Sequence, residues 1–297
     1  MTSVINEYLI HLRTEDCTKL NGSLNSYFSF ILKPAIAVSD TKNTLSAKLS
    51  TAEIPYSFYT VNDYNNTFNI VEDFVPRLIT LPKGSYDIFE FRDLVLAELG
   101  VNYIVTVSIN TGKMNISNPT LAILGINFTS DAFKLMGFSN QSYEELAVDG
   151  LTSPNVISLF SITGIYLKSN LSGYNIYNTR LNNNLSSILQ LIQIEEDTFN
   201  MINYRSTTDA FVSRLNDKKI DELVFRITDQ EDNLINFNGV DFELTLKIFE
   251  NKNTTIEPSQ ASIPSQPSIY TLPLEPLNNL IDTQRIENIL KRIQQIK

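Results

Sequence analysis

The sequence predicts an all-β fold: a single eight-stranded jelly roll, interrupted by a small inserted α/β domain and ending in a C-terminal arm. Three observations predict it. Segments toward both ends of the chain alternate apolar and polar residues with period two, as half-buried strands must, because successive side chains leave opposite faces of the pleat. Between them the period changes to that of a helix followed by a tight hairpin. After the last strand prolines accumulate. A chain of 297 residues is long enough to bury a full core.

Residues 1–75 hold the first part of the roll. EYLIHLRTE comes first, YFSFILK then aligns Phe28, Phe30 and Leu32, and TLSAKLSTAEI aligns Leu45, Ala47 and Leu49. The hinge IPYSFY stops this strand, since Pro55 has no N–H for a following ladder and sets a turn. It runs into the asparagine-rich VNDYNN.

Residues 76–150 read as the α/β insertion. In LPKGSYDIFEFRDLVLAELG, Asp87 and Glu90 have the spacing of a capping box, Ile88, Phe91, Val95 and Leu99 share one helical face, and Gly100 is the stop. YIVTVSINTGKMNIS follows as a hairpin with Val105, Val107 and Ile109 facing Met114 and Ile116. FTSDAFKLMGF offers a short helix capped by Thr129 or Ser130 and ended by Gly137.

Residues 151–250 return to the roll. VISLFSITGIYLKS and SSILQLIQIEE supply two strands, and ELVFRI places Leu223, Phe225 and Ile227 on one face. In VDFELTLKIFE, Val240, Phe242, Leu244, Leu246 and Ile248 point one way and Asp241, Glu243, Thr245 and Lys247 the other, the pattern of a strand with one wet face. The polar turn residues of TDQEDNLINFNG between these two make them neighbouring strands.

Residues 251–297 form the arm. Five prolines across 257–276 suit an extended tether, because proline cannot donate to a ladder. Beyond it Ile286, Ile289, Leu290, Ile293 and Ile296 make an apolar helical stripe, with Lys291, Arg292 and Lys297 toward its C-terminus. Such a stripe fits a partner surface, and equally a helix folded back on its own domain.

The net charge of −10 and pI near 4.7 disfavour binding to a phosphate backbone, so no specific nucleic acid is expected. The single cysteine, Cys17, forms no intrachain disulfide and fits a reducing compartment. No secretory signal is read at MTSVINEYLIHL, and no run reaches the roughly 18 apolar residues of a membrane span.

No catalytic, cofactor or metal site is assigned. Nucleophilic catalysis of the Ser-His-Asp or Cys-His kind needs an imidazole, and His11, the one histidine, sits in a strand among apolar residues. One cysteine and one histidine cannot supply a structural zinc site. DQEDNLINFNG starts like a calcium loop with Asp229, Glu231 and Asn233, yet Leu234 stands where the sharp turn needs glycine, so it reads as a polar turn. TGK at Thr111 lacks the upstream glycine of a phosphate loop and is followed by Met114. The adjacent acids Glu144 with Glu145, and Glu195 with Glu196, point to opposite faces of a strand and cannot converge on a glycosidic bond. Tyr56, Phe58, Tyr59 and Tyr64 fit either a plug at the end of a sandwich or a stacking platform for sugar, the basis of an alternative reading as a carbohydrate-binding or host-attachment protein.

Six stretches, in order, also carry a family resemblance. AEIPYSFYTVNDYNN, LPKGSYDIFEF, SINTGKMNIS, LMGF, GIYLKSNLS and ITDQEDNLINFNGVDFELTLKI resemble the penton, or minor capsid, proteins of virophages and the related polinton (Maverick) elements, over roughly residues 45–250. The resemblance implies a non-enzymatic virion protein, assembled in the host cytoplasm, that forms a homopentamer at the fivefold vertices of an icosahedral shell. It implies a double jelly-roll major capsid protein as partner, and an insertion on the outer surface able to meet a host or helper-virus ligand. The arm lies outside these stretches, and it is expected to reach a neighbouring capsid protein or an internal component.

Overall fold

The computed structural model describes residues 3–20, 25–127, 132–139, 141–171, 176–177, 185–208 and 211–252. The tether, the terminal apolar stripe and the Thr129 or Ser130 cap lie outside the described residues. The chain begins with β1 (Ser3–Arg13), β2 (Thr18–Lys19), β3 (Tyr27–Ala37) and β4 (Thr44–Pro55). It continues through β5 (Thr67–Glu72), β6 (Val75–Thr80), α1 (Ile88–Leu99), β7 (Ile104–Val107), β8 (Met114–Ser117), β9 (Ile123–Asn127), α2 (Ala132–Leu135), β10 (Tyr143–Leu146) and β11 (Leu151–Thr152). The described residues close with β12 (Gly164–Ser169), β13 (Ile176–Tyr177), β14 (Leu185–Ser186), β15 (Ile188–Gln193), β16 (Met201–Arg205), β17 (Ser213–Arg214), β18 (Lys219–Thr228) and β19 (Glu243–Lys252).

The long strands pair as nested antiparallel hairpins. β1 pairs with β19, β3 with β18, β4 with β16, and β12 with β15. Side-by-side pairing of β19 with β4 and of β12 with β18 assembles them into two sheets, in the orders β1-β19-β4-β16 and β15-β12-β18-β3-β2. The result is a jelly-roll-like β-sandwich. Its core holds Leu45, Ala47, Leu49, Leu223, Phe225, Ile227, Leu244, Leu246 and Ile248, the inward residues that alternation marks.

Two strand readings need correction. β18 and β19 are not neighbours: they lie in different sheets and face each other through the core. Alternation fixes which face of a strand is buried and says nothing about its hydrogen-bonding partner, so ELVFRI and VDFELTLKIFE have the same signature in either arrangement. The strand expected from Val156 begins only at Gly164. Upstream of it, the N–H groups of Asn155, Ile157 and Ser158 donate to the carbonyls of Gly137, Gly112 and Leu135 at 2.8–3.0 Å, and the alternating Ile157 and Leu159 pack on the insertion.

β4 also changes phase. Leu45, Ala47 and Leu49 are buried, then Ala52 and Ile54. Against β19, Leu49 faces Leu246 while Thr51 faces Thr245, so Ser50 is an extra residue, a bulge that moves the buried set from odd to even positions.

The insertion has its own hydrophobic cluster, which includes Val61, Phe68, Ile70, Phe91, Val95, Leu99, Val105, Met114, Ile116, Leu124, Ile126 and Leu151. A sheet in the order β10-β9-β5-β6, a second in the order β11-β8-β7, and helix α1 surround it. The capping box forms: Asp87 Oδ1 accepts from the N–H of Phe89 and Glu90 at 2.7 and 2.8 Å, and Glu90 accepts from the N–H of Asp87 at 2.9 Å. The hairpin pairs Val105 with Ile116 and Val107 with Met114, while Ile109 lies exposed in its turn. The β5–β6 hairpin is an addition to the sequence reading. It turns through Asp73 and Phe74, both at positive φ, a two-residue turn usually marked by glycine and here without one.

The sandwich has two distinct ends. Pro55 leads into the insertion and Gly164 returns from it at one end, whereas Ser3, Thr44 and Lys252 lie at the other. At that second end Glu250, fully buried in β19, accepts from Asn6 Nδ2, from both the N–H and Oγ of Ser39, and from Asn43 Nδ2, at 2.6–2.7 Å. One carboxylate thus ties the first strand, the β3–β4 turn and the last strand together. Donors that favour the charged form, Ser39 Oγ foremost, outweigh burial and hold this carboxyl down at about 2.

Because the folded pKa lies below the ordinary carboxylate value of 4.5, this stabilisation is full above about pH 4.5 and is lost as pH falls through about 2. Thermal unfolding followed by circular dichroism should show Glu250→Ala less stable than the wild type at pH 7 by about 1–3 kcal/mol, the cost of stranding its buried donors. The gap should narrow between pH 4.5 and 2. An equal gap at both pH values would mean that the carboxylate charge is not what holds these strands.

Candidate assembly surfaces

His11, Cys17 and Asp229 each have local hydrogen-bond partners. His11 lies on the solvent face of β1, with Nδ1 3.1 Å from Thr245 Oγ1 and Nε2 3.3 Å from Glu243 Oε2. Cys17 Sγ donates to the carbonyl of Arg13 at 3.3 Å, and burial, with the Asp16 charge adding, pushes its thiol up to about 11. A thiol that stays protonated is a poor nucleophile.

Asp229 organises the polar turn. Its Oδ1 accepts from the N–H of Glu231 and Asn233 at 2.7 and 2.9 Å, and Oδ2 accepts from Asn233 Nδ2 at 3.1 Å. The following Asp232 takes the largely buried Lys168 at 2.6 Å. Among the described residues no group of three His, Cys, Asp or Glu is gathered as for a metal ion. Thr111 and Gly112 sit in the β7–β8 turn, where Gly112 has φ 63°. Glu144 and Glu145 are exposed on β10, and Glu195 and Glu196 are exposed in the loop after β15.

The hinge turns out to be an anchor. Tyr56 stacks on Phe58 with centroids 4.4 Å apart, Phe58 meets Phe237 at 6.0 Å, Phe237 meets Phe242 at 4.9 Å, and Phe242 meets Phe28 at 5.9 Å. This row of rings runs from the sandwich centre to its end. The asparagines beyond it satisfy their own loop: Asn65 Oδ1 accepts from the N–H of Asn62, Asn62 Oδ1 from that of Tyr64, and Asn65 Nδ2 donates to the carbonyl of Thr60. Asn66 Nδ2 donates to Leu81 O across the loop. Short amide side chains close turns in this way without needing glycine.

Four surface features stand out among the described residues. A cleft of about 230 Å³ where the insertion meets the sandwich is lined by Tyr64, Asn65, Lys134, Phe160 and residues of the Asp229 turn. The β5–β6 tip exposes Phe74 and Val75, and Leu146 and Val148 of the same insertion are exposed as well. The 195–199 loop carries Glu195, Glu196, Asp197 and the 77% exposed Phe199, whose φ is 69°. A groove of about 570 Å³ on the outer face of the β1-β19-β4-β16 sheet holds Lys48, Lys247, Arg214 and Phe249.

Phe74 and Phe199 were not singled out in the sequence. Bulky residues in the left-handed region cost about 1–3 kcal/mol each, and the cost is tolerated where surrounding structure enforces it. Asp73 Oδ1 enforces the first turn by accepting from the N–H of Ala122 and Ile123, both at 2.9 Å. The N–H of Phe199 donating to Tyr56 O at 2.9 Å enforces the second. A signal exists in the letters: each aromatic directly follows or precedes an Asp or Asn turn residue, in EDF and TFN.

No family model matches this chain, and no curated protein matches it in sequence. Among solved structures it is similar to the mavirus penton protein, at 13% identity over 82% of this chain and 100% of that one, with a TM-score of 0.42. That score is too low for the likeness to bear on function.

Replacing Phe58 with alanine opens the row of rings at the sandwich end. The expected loss is about 3–5 kcal/mol in denaturant unfolding, as for other fully buried phenylalanines. Tyr59→Ala, at a half-buried neighbouring position, should cost clearly less.

Proposed function

We propose that this chain is a structural capsid subunit, a penton whose five copies form a ring at each fivefold vertex of an icosahedral shell. The observation that carries the reading is the nested antiparallel pairing of the sandwich strands, first with last and inward to β12 with β15, which supports one jelly roll made by folding a long hairpin over. The six ordered stretches that resemble virophage and polinton pentons run through this roll and its insertion. A double jelly roll, the shell-face partner in this reading, needs twice the strands.

The two ends of the sandwich then take different roles. With the insertion outward, residues 3 and 252 face the shell interior or neighbouring capsomers. In this reading the inserted domain is taken more widely than 76–150, because the hydrophobic cluster that holds Phe91 and Val95 also takes in Val61, Phe68 and Leu159. It offers the Phe74 tip to a host or helper-virus ligand, and the arm beyond 252 reaches a neighbouring capsid protein or an internal component. Location in the virion after assembly in the host cytoplasm belongs to the same reading. No step requires a reacting group; the work is association through buried area.

Native mass spectrometry of the purified full chain should report a five-chain species. A protein that stays monomeric at about 100 µM, or stops at a dimer, counts against the penton reading.

A carbohydrate-binding role is the second reading, favoured by the cleft that sets Tyr64 and Phe160 beside amides and acids. Under it, a glycan array probed with the full chain gives hits that Tyr64→Ala abolishes. An array without hits removes it.

A further inference from the structure

The β10-β9-β5-β6 sheet of the insertion presents an apolar outer face. Phe68, Ile70, Leu124 and Ile126 turn into the insertion's cluster. Side chains alternate along a strand, so Val71, Leu78, Ile123 and Leu146 take the opposite face, where the register sets Gly125 between Val71 and Glu144. Gly125 keeps that face low: a Cβ there would meet Val71 Cβ and Glu144 Cγ, each at 3.2 Å. The β5–β6 tip joins the same face at one edge. Asp73 Oδ1 accepts from the N–H of Ala122 and Ile123, and on the far side of these two residues Ala147 donates to Ala122 O at 3.1 Å and Leu146 pairs with Ile123. Phe74 and Val75 therefore continue a patch that also holds Leu78, Leu146 and Val148, all five between 60% and 68% exposed. Exposed apolar residues grouped in this way mark an interaction surface.

Charge selects the partner. Glu144, Glu145 and Asp149 border the patch along β10 and the turn after it; all three are exposed, and no described residue makes an ion pair or hydrogen bond with their carboxylates. Residues 61–159 carry eleven acidic side chains against five basic ones, and Arg77, Lys83 and Arg92 among the five are already paired with Glu72, Asp63 and Asp93. Phosphate headgroups and acidic sugars are repelled from such a rim. Lysine and arginine are drawn to it.

We propose that this face docks a basic amphipathic segment of another protein, its apolar side chains on the patch of Phe74, Leu78 and Leu146 and its Lys or Arg against the three carboxylates. This rests on the reading in which the insertion meets a partner outside the shell, and it names that partner's chemistry. Phe74 supplies the sharpest probe, because its backbone lies at φ 70°, where glycine is the unstrained choice.

The test is fluorescence anisotropy of a labelled synthetic peptide of Leu and Lys, with Leu at helical spacing, titrated with the full chain at physiological ionic strength. Phe74→Gly, Leu78→Ser with Leu146→Ser, and Glu144→Lys with Glu145→Lys should each weaken binding about tenfold. Glu98→Lys with Asp221→Lys makes the same change of charge at exposed acids elsewhere and should leave binding unchanged. Thermal unfolding verifies that each variant is folded, and Phe74→Gly should unfold at or above the wild-type midpoint, so that weaker binding there reports the lost ring and not a lost fold. No binding of the peptide by the wild type, or equal losses in the charge control, overturns the proposal. Binding to neutral phosphatidylcholine vesicles in place of the peptide, abolished by Phe74→Gly, overturns it in favour of a membrane surface. Peptide binding that appears only when residues 283–297 are removed overturns it in favour of the chain's own terminal stripe. Loss of the five-chain species in the face variants overturns it in favour of a contact between copies, whereas a five-chain species that persists without peptide binding leaves the penton reading standing alone.

Discussion

The structure depends on the closure of its first strand onto its last. Asn6 and Glu250 are 244 residues apart and meet at 2.6 Å, and every other long pair lies inside the loop that this contact closes. Loop-closure entropy grows only as the logarithm of length, so doubling an enclosed loop costs about 0.6 kcal/mol. An insertion of the size seen between β4 and β12 is therefore cheap, provided that its entry and exit lie close together. They do, because Pro55 and Gly164 are at the same end of the sandwich, in different sheets. The same nesting has a kinetic side: most contacts are far apart in sequence, the arrangement that slows folding.

Residues whose role is set by burial alone were legible in the sequence. Leu45, Ala47 and Leu49, Leu223, Phe225 and Ile227, and Phe91, Val95 and Leu99 of α1 with its capping box stand where periodicity put them, while Ile88 is only half-buried. Partner choice was not legible, and β18 and β19 show why: a strand's alternation is identical whichever strand it bonds to. The Ser50 bulge was hidden because a single extra residue looks like the end of a pattern. Strands β5 and β6 were hidden because their turn uses Asp73 and Phe74 where glycine or asparagine would have announced it. Glu250 was unreadable for a further reason. Its partners come from three distant segments, and in VDFELTLKIFE it looks like one more solvent-facing acid until the inward phase is counted through from Leu244.

The polar residues account for themselves in the same way. Asparagines in the 62–66 loop and the acids of the 229–233 turn spend their oxygens on nearby N–H groups, which leaves rigid connections where the sandwich meets the insertion. Lys168 is drawn into that junction and neutralised by Asp232. Such networks position the sandwich and the insertion against each other. The chemistry that remains for recognition is on the outside, in exposed rings and unevenly distributed charge.

Uneven charge decides how a strongly acidic chain could associate with itself at all. A net charge of −10 makes two copies repel at long range, but at physiological ionic strength the screening length is about 8 Å, so that repulsion fades before the surfaces touch. What acts at contact is the local pattern, such as the carboxylates of 195–197 beside the exposed ring of Phe199. A partner whose pattern complements such a local departure gains at contact what the net charge opposes at a distance. The left-handed backbone at Phe199 belongs to the same account: about 1–3 kcal/mol of strain goes with a ring held 77% exposed, an apolar group available at contact.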